Sequence, residues 1–163
     1  MLCTRPDLAY AISQISQFNN SPNQTHYAVA KRVLRYLKGT VNVGITFSGS
    51  LGLELELYYD ADWADGEDRK SISAYIVILA GGAVSWRSKK QSTVASSSTE
   101  AEYMALLEAT KESIWVQRLL SELGQTVENA NIIFEDNQGA IALANNPEHH
   151  ARTKHIDIQY HFV

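Results

Sequence analysis

Apolar and polar positions along this chain repeat at two different periods, and the change from one to the other marks its elements. Residues 4 to 18 follow a helical period: Leu8, Ile12 and Ile15 form a stripe, Pro6 suits a first turn, and Thr4 and Asp7 have capping-box spacing. Asn19-Asn20-Ser21-Pro22-Asn23 breaks that run. A second helix is expected from about Thr25 to Lys38, with Tyr27, Ala30, Val33, Leu34 and Leu37 on one face and Gly39 ending it. From Leu53 to Ala61 the period becomes two. Leu53, Leu55, Leu57 and Tyr59 face one way, and Glu54, Glu56, Tyr58 and Asp60 the other. Ala74 to Leu79 reads as a buried strand, and Gly81-Gly82 turns it into a hairpin with Ala83-Val84-Ser85-Trp86. Arg87, Lys89 and Lys90 leave the hairpin. A long helix then runs from Ser97 to Gly124, followed by a buried strand at Ile132-Ile133-Phe134 and a short helix from Gln138 to Ala144 that Asn145-Asn146-Pro147 stops. This order predicts an α/β fold with a mixed sheet. If the first and last strands lie side by side in parallel, a right-handed crossover lays the long helix over them.

The start of the long helix carries the main chemical signal. Ser97 with Glu100, and Thr99 with Glu102, both have capping-box spacing. With Glu102 as reference, Ala105, Leu106, Ala109, Val116, Leu120 and Leu123 fall within about 60° of it, Ser113 being the only other polar member. Glu100, Lys111 and Arg118 lie on the far side, so Glu102 and not Glu100 is expected to face the packed interior. A carboxylate there is costly without compensation. Two readings stay open: a partner for the helix dipole and first-turn amides, or a metal or catalytic group. The topology favours the second, because Asp60 and Asp136 would end neighbouring strands beneath Glu102. Three carboxylates without matching cations repel one another unless divalent ions sit among them. Magnesium suits such a site.

Composition narrows the setting. With 163 residues, 45% of them hydrophobic and 20% charged, the chain has the make-up of a globular domain with a small appendage. No apolar run reaches the length of a membrane span, and the single Cys3 excludes an internal disulfide. The net charge of −4 leaves nucleic-acid contact to local basic clusters. Lys31, Arg35 and Lys38 recur on one face of the second helix with Arg32 beside them, which fits either a solvated face or one that tracks phosphates. His149, His150, His155 and His161 cluster, but no cysteine is near and no pair has the spacing of a zinc helix. The serines at 96–98 sit at a helix start, where capping explains them.

Several stretches together resemble the RNase H domain of copia-type (Ty1/copia) LTR retrotransposon Pol polyproteins. They are Asp60-Ala61-Asp62-Trp63-Ala64, Ser85-Trp86 with Lys89-Lys90-Gln91, Ser97 to Ala105, Asp136-Asn137-Gln138, and Arg152-Thr153-Lys154-His155-Ile156-Asp157. Each is weak alone; their order and spacing across residues 49–163 make the resemblance specific. Thr4 to Tyr10 and Ala30 to Thr40 are similar to the tail of the reverse transcriptase, its thumb or connection, while nothing resembles the polymerase palm. The resemblance implies a helical remnant over 1–48 and an RNase H-like domain over 49–163.

In that family the chemistry is hydrolysis of the RNA strand of an RNA–DNA hybrid by two magnesium ions about 3.5–4 Å apart, with manganese able to substitute and no small-molecule cofactor. The implied catalytic and metal-binding residues are Asp60, Glu102 and Asp136. Asp62 shares the strand parity of Asp60, so spacing alone does not separate them; the strand-end Asp-Ala favours Asp60. Implied nucleic-acid contacts are Lys31, Arg32, Arg35, Lys38, Arg87, Lys89 and Lys90, with Arg152, Lys154 and His155 near the substrate edge. The family continues into a fifth strand and a last helix bearing a fourth aspartate. This chain ends at Val163, so a truncated domain with an exposed sheet edge is expected, Asp157 being the only late aspartate. The implied partners are the hybrid and the rest of the polyprotein, in an intracellular, cytoplasmic or virus-like-particle setting and without membrane contact. Two rivals remain: a remnant that keeps the fold and binds nucleic acid without cutting it, and another nuclease of the same fold, such as an integrase core.

Overall fold

A computed structural model of the chain describes residues 4–64, 68–125 and 131–145. A short 3₁₀ turn, Pro6–Leu8, leads into α1 (Ala9–Ser16), followed by α2 (Gln24–Gly39), β1 (Leu55–Asp62), β2 (Ile72–Leu79), β3 (Gly82–Lys90), α3 (Ser98–Glu122), β4 (Ile132–Phe134) and α4 (Gln138–Asn145). The four strands form one mixed sheet in the order β3-β2-β1-β4. β1 and β2 are antiparallel with Tyr59 opposite Tyr75, β2 and β3 are antiparallel, and β1 and β4 are parallel with Leu57 opposite Ile133. This is the α/β architecture expected, with α3 as the crossover between the parallel pair and two helices ahead of the sheet.

The period-two pattern of β1 determines which face is covered. Leu55, Leu57, Tyr59 and Ala61 are buried, whereas Tyr58, Asp60 and Asp62 are exposed. α3 packs on β1 and β2, and the core joins those β1 residues to Val77, Ala101, Tyr103, Ala105, Leu106, Ala109 and Val116. Small side chains at Ala101, Ala105 and Ala109 let the helix lie close to the sheet, and dispersion contacts gain from that closeness. β2 and β3 join through a tight turn in which Ala80 and Gly81 both take positive φ, 51° and 77°. Two such residues match the twist of a hairpin.

The ends of the elements depart from expectation in instructive ways. The Thr4–Asp7 box does not form. Asp7 instead pairs with Arg5 (Nη2–Oδ2 2.7 Å), and Arg5 also donates to the Thr40 carbonyl (3.2 Å) and Oγ1 (2.7 Å), tying the N-terminal turn to the end of α2. α2 begins one residue early because Asn23 caps it: the Asn23 side chain accepts from the His26 N–H (2.9 Å), and His26 Nδ1 accepts from the Asn23 N–H (3.2 Å). Gly39 is the last helical residue, with Thr40 as cap. β3 extends to Lys90, so Arg87, Lys89 and Lys90 lie on the strand itself. The run Ile132-Ile133-Phe134 was expected to be buried, yet all three residues are exposed, at 44, 39 and 42%. Among the described strands β4 lies at the edge, and its apolar side chains reflect strand propensity and pairing with β1 more than a covered face. Phe134 stacks on Tyr58, with ring centroids 4.5 Å apart. Among the described residues no helix is long and apolar enough to cross a membrane.

Candidate metal centre

β1 delivers Asp60 near its carboxyl end, on the face away from α3. The parallel register brings β4 alongside, so Asp136, two residues past Phe134, comes level with Asp60. Glu102 descends from the first turns of α3. One carboxylate oxygen from each of Asp60, Glu102 and Asp136 lies within 4.8 Å of the others. Asp60 and Asp136 are exposed, while Glu102 is only 6% exposed. Asp62 is exposed two residues further on and is not among the converging ligands. Of the two aspartates that strand parity left open, Asp60 is the one whose carboxylate lies near Glu102 and Asp136.

Three features hold α3 in place over the strand ends. Ser97 caps it, accepting from the Glu100 N–H at 3.2 Å. Gln91, 8% exposed at the end of β3, donates to Ser73 Oγ (2.8 Å) and to the Ala101 carbonyl (2.9 Å), linking sheet and helix beside Glu102. The Trp63 indole N–H donates to the Ala95 carbonyl (3.3 Å), joining the exit of β1 to the approach of the helix. On the other side, α4 starts under an Asn137 cap, its Oδ1 accepting from the Ala140 N–H at 3.0 Å. A Cβ on Gly139 would lie 2.7 Å from Thr99 Oγ1, so only glycine lets the starts of α3 and α4 approach this closely.

The two glutamates near the start of α3 behave differently. Glu100 was expected on the solvent side, but it is 7% exposed. It folds back onto the preceding loop, where its carboxylate accepts from the Ser96 N–H (2.8 Å) and from the Ser96 hydroxyl. Position around the helix did not reveal this, because a first-turn side chain packs against the chain entering the helix. Glu102 has less compensation. A backbone hydrogen bond from Ala61 serves the carboxylate, yet its Oε2 is buried without a hydrogen-bond partner. Burial, followed by the charges of Asp60, Glu135 and Asp136, pushes its carboxyl group up to about 7. The dipole reading therefore accounts for only part of this side chain. An orphaned buried oxygen aimed among carboxylates matches what a hard divalent cation requires: few protein oxygens, with water or phosphate completing the shell.

Glu135 was not singled out in the sequence. It follows β4, half-buried, with Oε1 accepting from the Asn137 N–H at 2.5 Å and the Tyr59 hydroxyl as a further partner of the carboxylate. Beside it the Tyr59 hydroxyl is raised strongly, first by burial and then by Glu135. The sequence signal was present in the alternation: if Asp136 aligns with Asp60, then Glu135 aligns with Tyr59 on the helix-covered face.

The basic candidates are dispersed. Lys31, Arg35 and Lys38 line one open groove on α2 with Ala28 and Leu34, whereas Arg32 lies a step around the helix, beside Asp7, Tyr10 and Tyr36. Lys31 sits 4.4 Å above the Tyr27 ring. On β3, Arg87 faces α3 and pairs with Glu108 at 3.6 Å, and Lys90 pairs with Asp68 at 3.3 Å. Lys89 shares a surface groove with both. Exposed pairs of this kind contribute little and exchange readily. Arg152, Lys154, Asp157 and the four late histidines lie outside the described residues.

Comparison with known proteins gives a consistent result. The chain is 46% identical over its whole length to a retrovirus-related Pol polyprotein from transposon TNT 1-94 of Nicotiana tabacum. It is 47% identical, over 98% of its length, to one from transposon RE1 of Arabidopsis thaliana. It spans only 12% and 11% of those two relatives. It is also 56% identical, over 71% of its length and 82% of the relative's, to secreted RxLR effector protein 161 of Plasmopara viticola. No family model and no solved structure matches.

Proposed function

From the premise that this chain belongs to the copia-type, retrovirus-related Pol polyproteins of plant transposons, we propose that it is the ribonuclease H module of such a polyprotein, a metal-dependent endonuclease for the RNA strand of RNA–DNA hybrids. One observation carries the reading. Three carboxylates from β1, α3 and the end of β4 converge, and the most buried of them keeps an oxygen without a protein partner. Asp60, Glu102 and Asp136 would hold magnesium, or manganese in its place. When bound, the metal supplies the positive charge that makes water nucleophilic near neutral pH and stabilises charge developing on the phosphodiester oxygens.

The remaining work falls to the chain itself. The Ala61 N–H and the packed first turns of α3 fix Glu102, so the site needs little reorganisation when substrate arrives. Asp60 and Asp136 are exposed and leave an open approach for a sugar–phosphate backbone. Lys31, Arg35 and Lys38 form a separate basic strip that would track phosphates further along the duplex. Such contacts read backbone shape and the 2′-hydroxyl, not base sequence.

The test is cleavage of an end-labelled RNA–DNA hybrid in magnesium, with duplex RNA and duplex DNA alongside. The hybrid should be cut, and Asp60→Asn or Asp136→Asn should lower the rate by about a hundredfold or more. Glu100→Gln, remote from the converging oxygens, should retain activity. Binding without cutting would reduce the protein to a hybrid-binding remnant, and cleavage of duplex DNA alone would move it to another nuclease class.

A further inference from the structure

The chain that leaves β1 passes at once through Trp63, three residues beyond Asp60. Its indole N–H donates to the Ala95 carbonyl at 3.3 Å. Ala95 is itself buried in the core, on the loop that leads into α3. The polar edge of the ring is therefore satisfied inward, yet the side chain stays 49% exposed. The backbone just after it is strained. Ala64 takes a φ of 55°, in the left-handed region that a residue with a Cβ adopts at a cost. Ser71, wholly buried, holds it there: its Oγ accepts from the Ala64 N–H at 3.3 Å, and its carbonyl accepts from the Gln91 N–H at 2.8 Å. Gln91 in turn ties the sheet to the start of α3. Trp63 is thus seated on the framework that also fixes Glu102 relative to β1.

A latch onto Ala95 needs only the N–H; it does not need half of a large aromatic side chain left in water. A ring that is already held still loses little freedom when a ligand arrives. Its surface suits an uncharged, apolar face. In an A-form-like duplex the bases are stacked on one another, and the wide, shallow groove displays sugars and 2′-hydroxyls. We propose that Trp63 is a substrate-contacting residue, whose ring packs against sugars in the shallow groove of an RNA–DNA hybrid beside the phosphate that the carboxylates address. The inference rests on the hybrid-binding part of the reading above and deepens it. It gives the site an apolar contact to complement its charged ones. Lys31, Arg35 and Lys38 hold phosphates through charge, which salt weakens, whereas packing against a ring does not depend on released counterions. Such a contact also leaves the base sequence unread, as the rest of the site requires.

The test compares the full chain with Trp63→Leu and Trp63→Phe, using an RNA–DNA hybrid as probe. Binding is read in an Asp60→Asn background, so that cleavage does not interfere, and KM and kcat are read without it. Trp63→Leu should bind about tenfold more weakly, raise KM by a similar factor and leave kcat within about twofold. The slope of its binding against salt should match that of the parent. Trp63→Phe keeps a ring but has no N–H to give, and it should stay within about threefold of the parent. If Phe and Leu lose binding alike, the latch and not the ring matters, and the proposal falls alone; so it does if neither loses any. Should the hybrid be bound but not cut, the nuclease reading fails while binding still decides on Trp63. If the wild type binds no hybrid, both fall. Should Trp63→Leu fail to fold, fluorescence decides. The difference between the wild-type and Trp63→Phe spectra isolates Trp63 from Trp86 and Trp115. It must change when hybrid is added, and a difference spectrum that stays constant overturns the proposal.

Discussion

α2 and the first two-thirds of α3 differ in what surrounds them. α2 has the sharper division into apolar and charged faces, yet it buries only Val33 and leaves Tyr27 56% and Leu34 65% exposed. α3 has a weaker division and buries ten residues, all between Glu100 and Val116. An apolar stripe marks which face will pack if there is something to pack on. α2 touches little beyond α1, whereas α3 lies between the sheet and α4. Burial on several sides then selects small residues, as at Ala101, Ala105, Ala109 and Ser113. Toward its C-terminal end α3 emerges from this environment, with Trp115 56% and Leu119 38% exposed. The proposed chemistry divides in the same way: rigid oxygen donors where packing is dense, and phosphate-tracking cations where it is loose.

Overfilling the dense region should have the largest effect on stability. Ala109 is fully buried between α3 and the sheet, so Ala109→Leu should destabilise by about 1–3 kcal/mol. Leu34→Ala on α2 should stay within about 0.5 kcal/mol. Urea unfolding of both measures the contrast, and equal costs would break it.

Charge reversal sharpens the other side. Lys31→Glu with Arg35→Glu should weaken hybrid binding and flatten its dependence on salt by about one unit of slope per lost phosphate contact. Arg32→Glu, turned toward α1, should change the slope less. A slope that does not move in the double variant would leave α2 as a merely solvated helix.

The smallest effect concerns acid. The Arg5 guanidinium holds the Asp7 carboxyl down to about 2. Because the folded value lies below the ordinary one, the pair stabilises above the ordinary carboxylate range, and that contribution is lost as pH falls toward 2. Asp7→Asn should therefore be less stable than wild type near neutrality and converge with it in acid, as measured by Tm against pH. A gap that stays constant with pH would assign the difference to something other than this pair.

Where the sequence could be read, local pattern and burial agreed. The alternation from Leu55 to Ala61, the helical face of Glu102 with Ala105, Leu106 and Ala109, and the parallel strands beneath a crossover are all visible in the structure. What could not be read depended on a side chain folding back on the entering loop, on partners across the sheet, or on a strand's place in it. Glu100 is buried because the Ser96 amide and hydroxyl receive it. Ile132, Ile133 and Phe134 are exposed because β4, among the described strands, pairs on one side alone. Gln91 entered the sequence reading only within the stretch Lys89-Lys90-Gln91, with no role of its own, although it joins the sheet to the start of α3. Glu135 was overlooked because it sits beside Asp136, and only the register with β1 sends the two to opposite faces.

The parallel pairing of β1 with β4 also bears on the order of assembly. Residues 59 to 133 lie between the paired Tyr58 and Phe134, so this contact closes a long loop and repays its entropy only after the hairpin and α3 are in place. The hairpin and the helix are local structures that can form early. Asp60 and Glu102 meet once α3 packs on β1, and Asp136 joins them only when β4 docks. The repulsion that Asp136 adds is therefore absent from the early steps of folding and arises at the last one. A cation that binds only the assembled centre would then act mainly on the rate of unfolding, holding β4 in place, and would leave the rate of folding nearly unchanged.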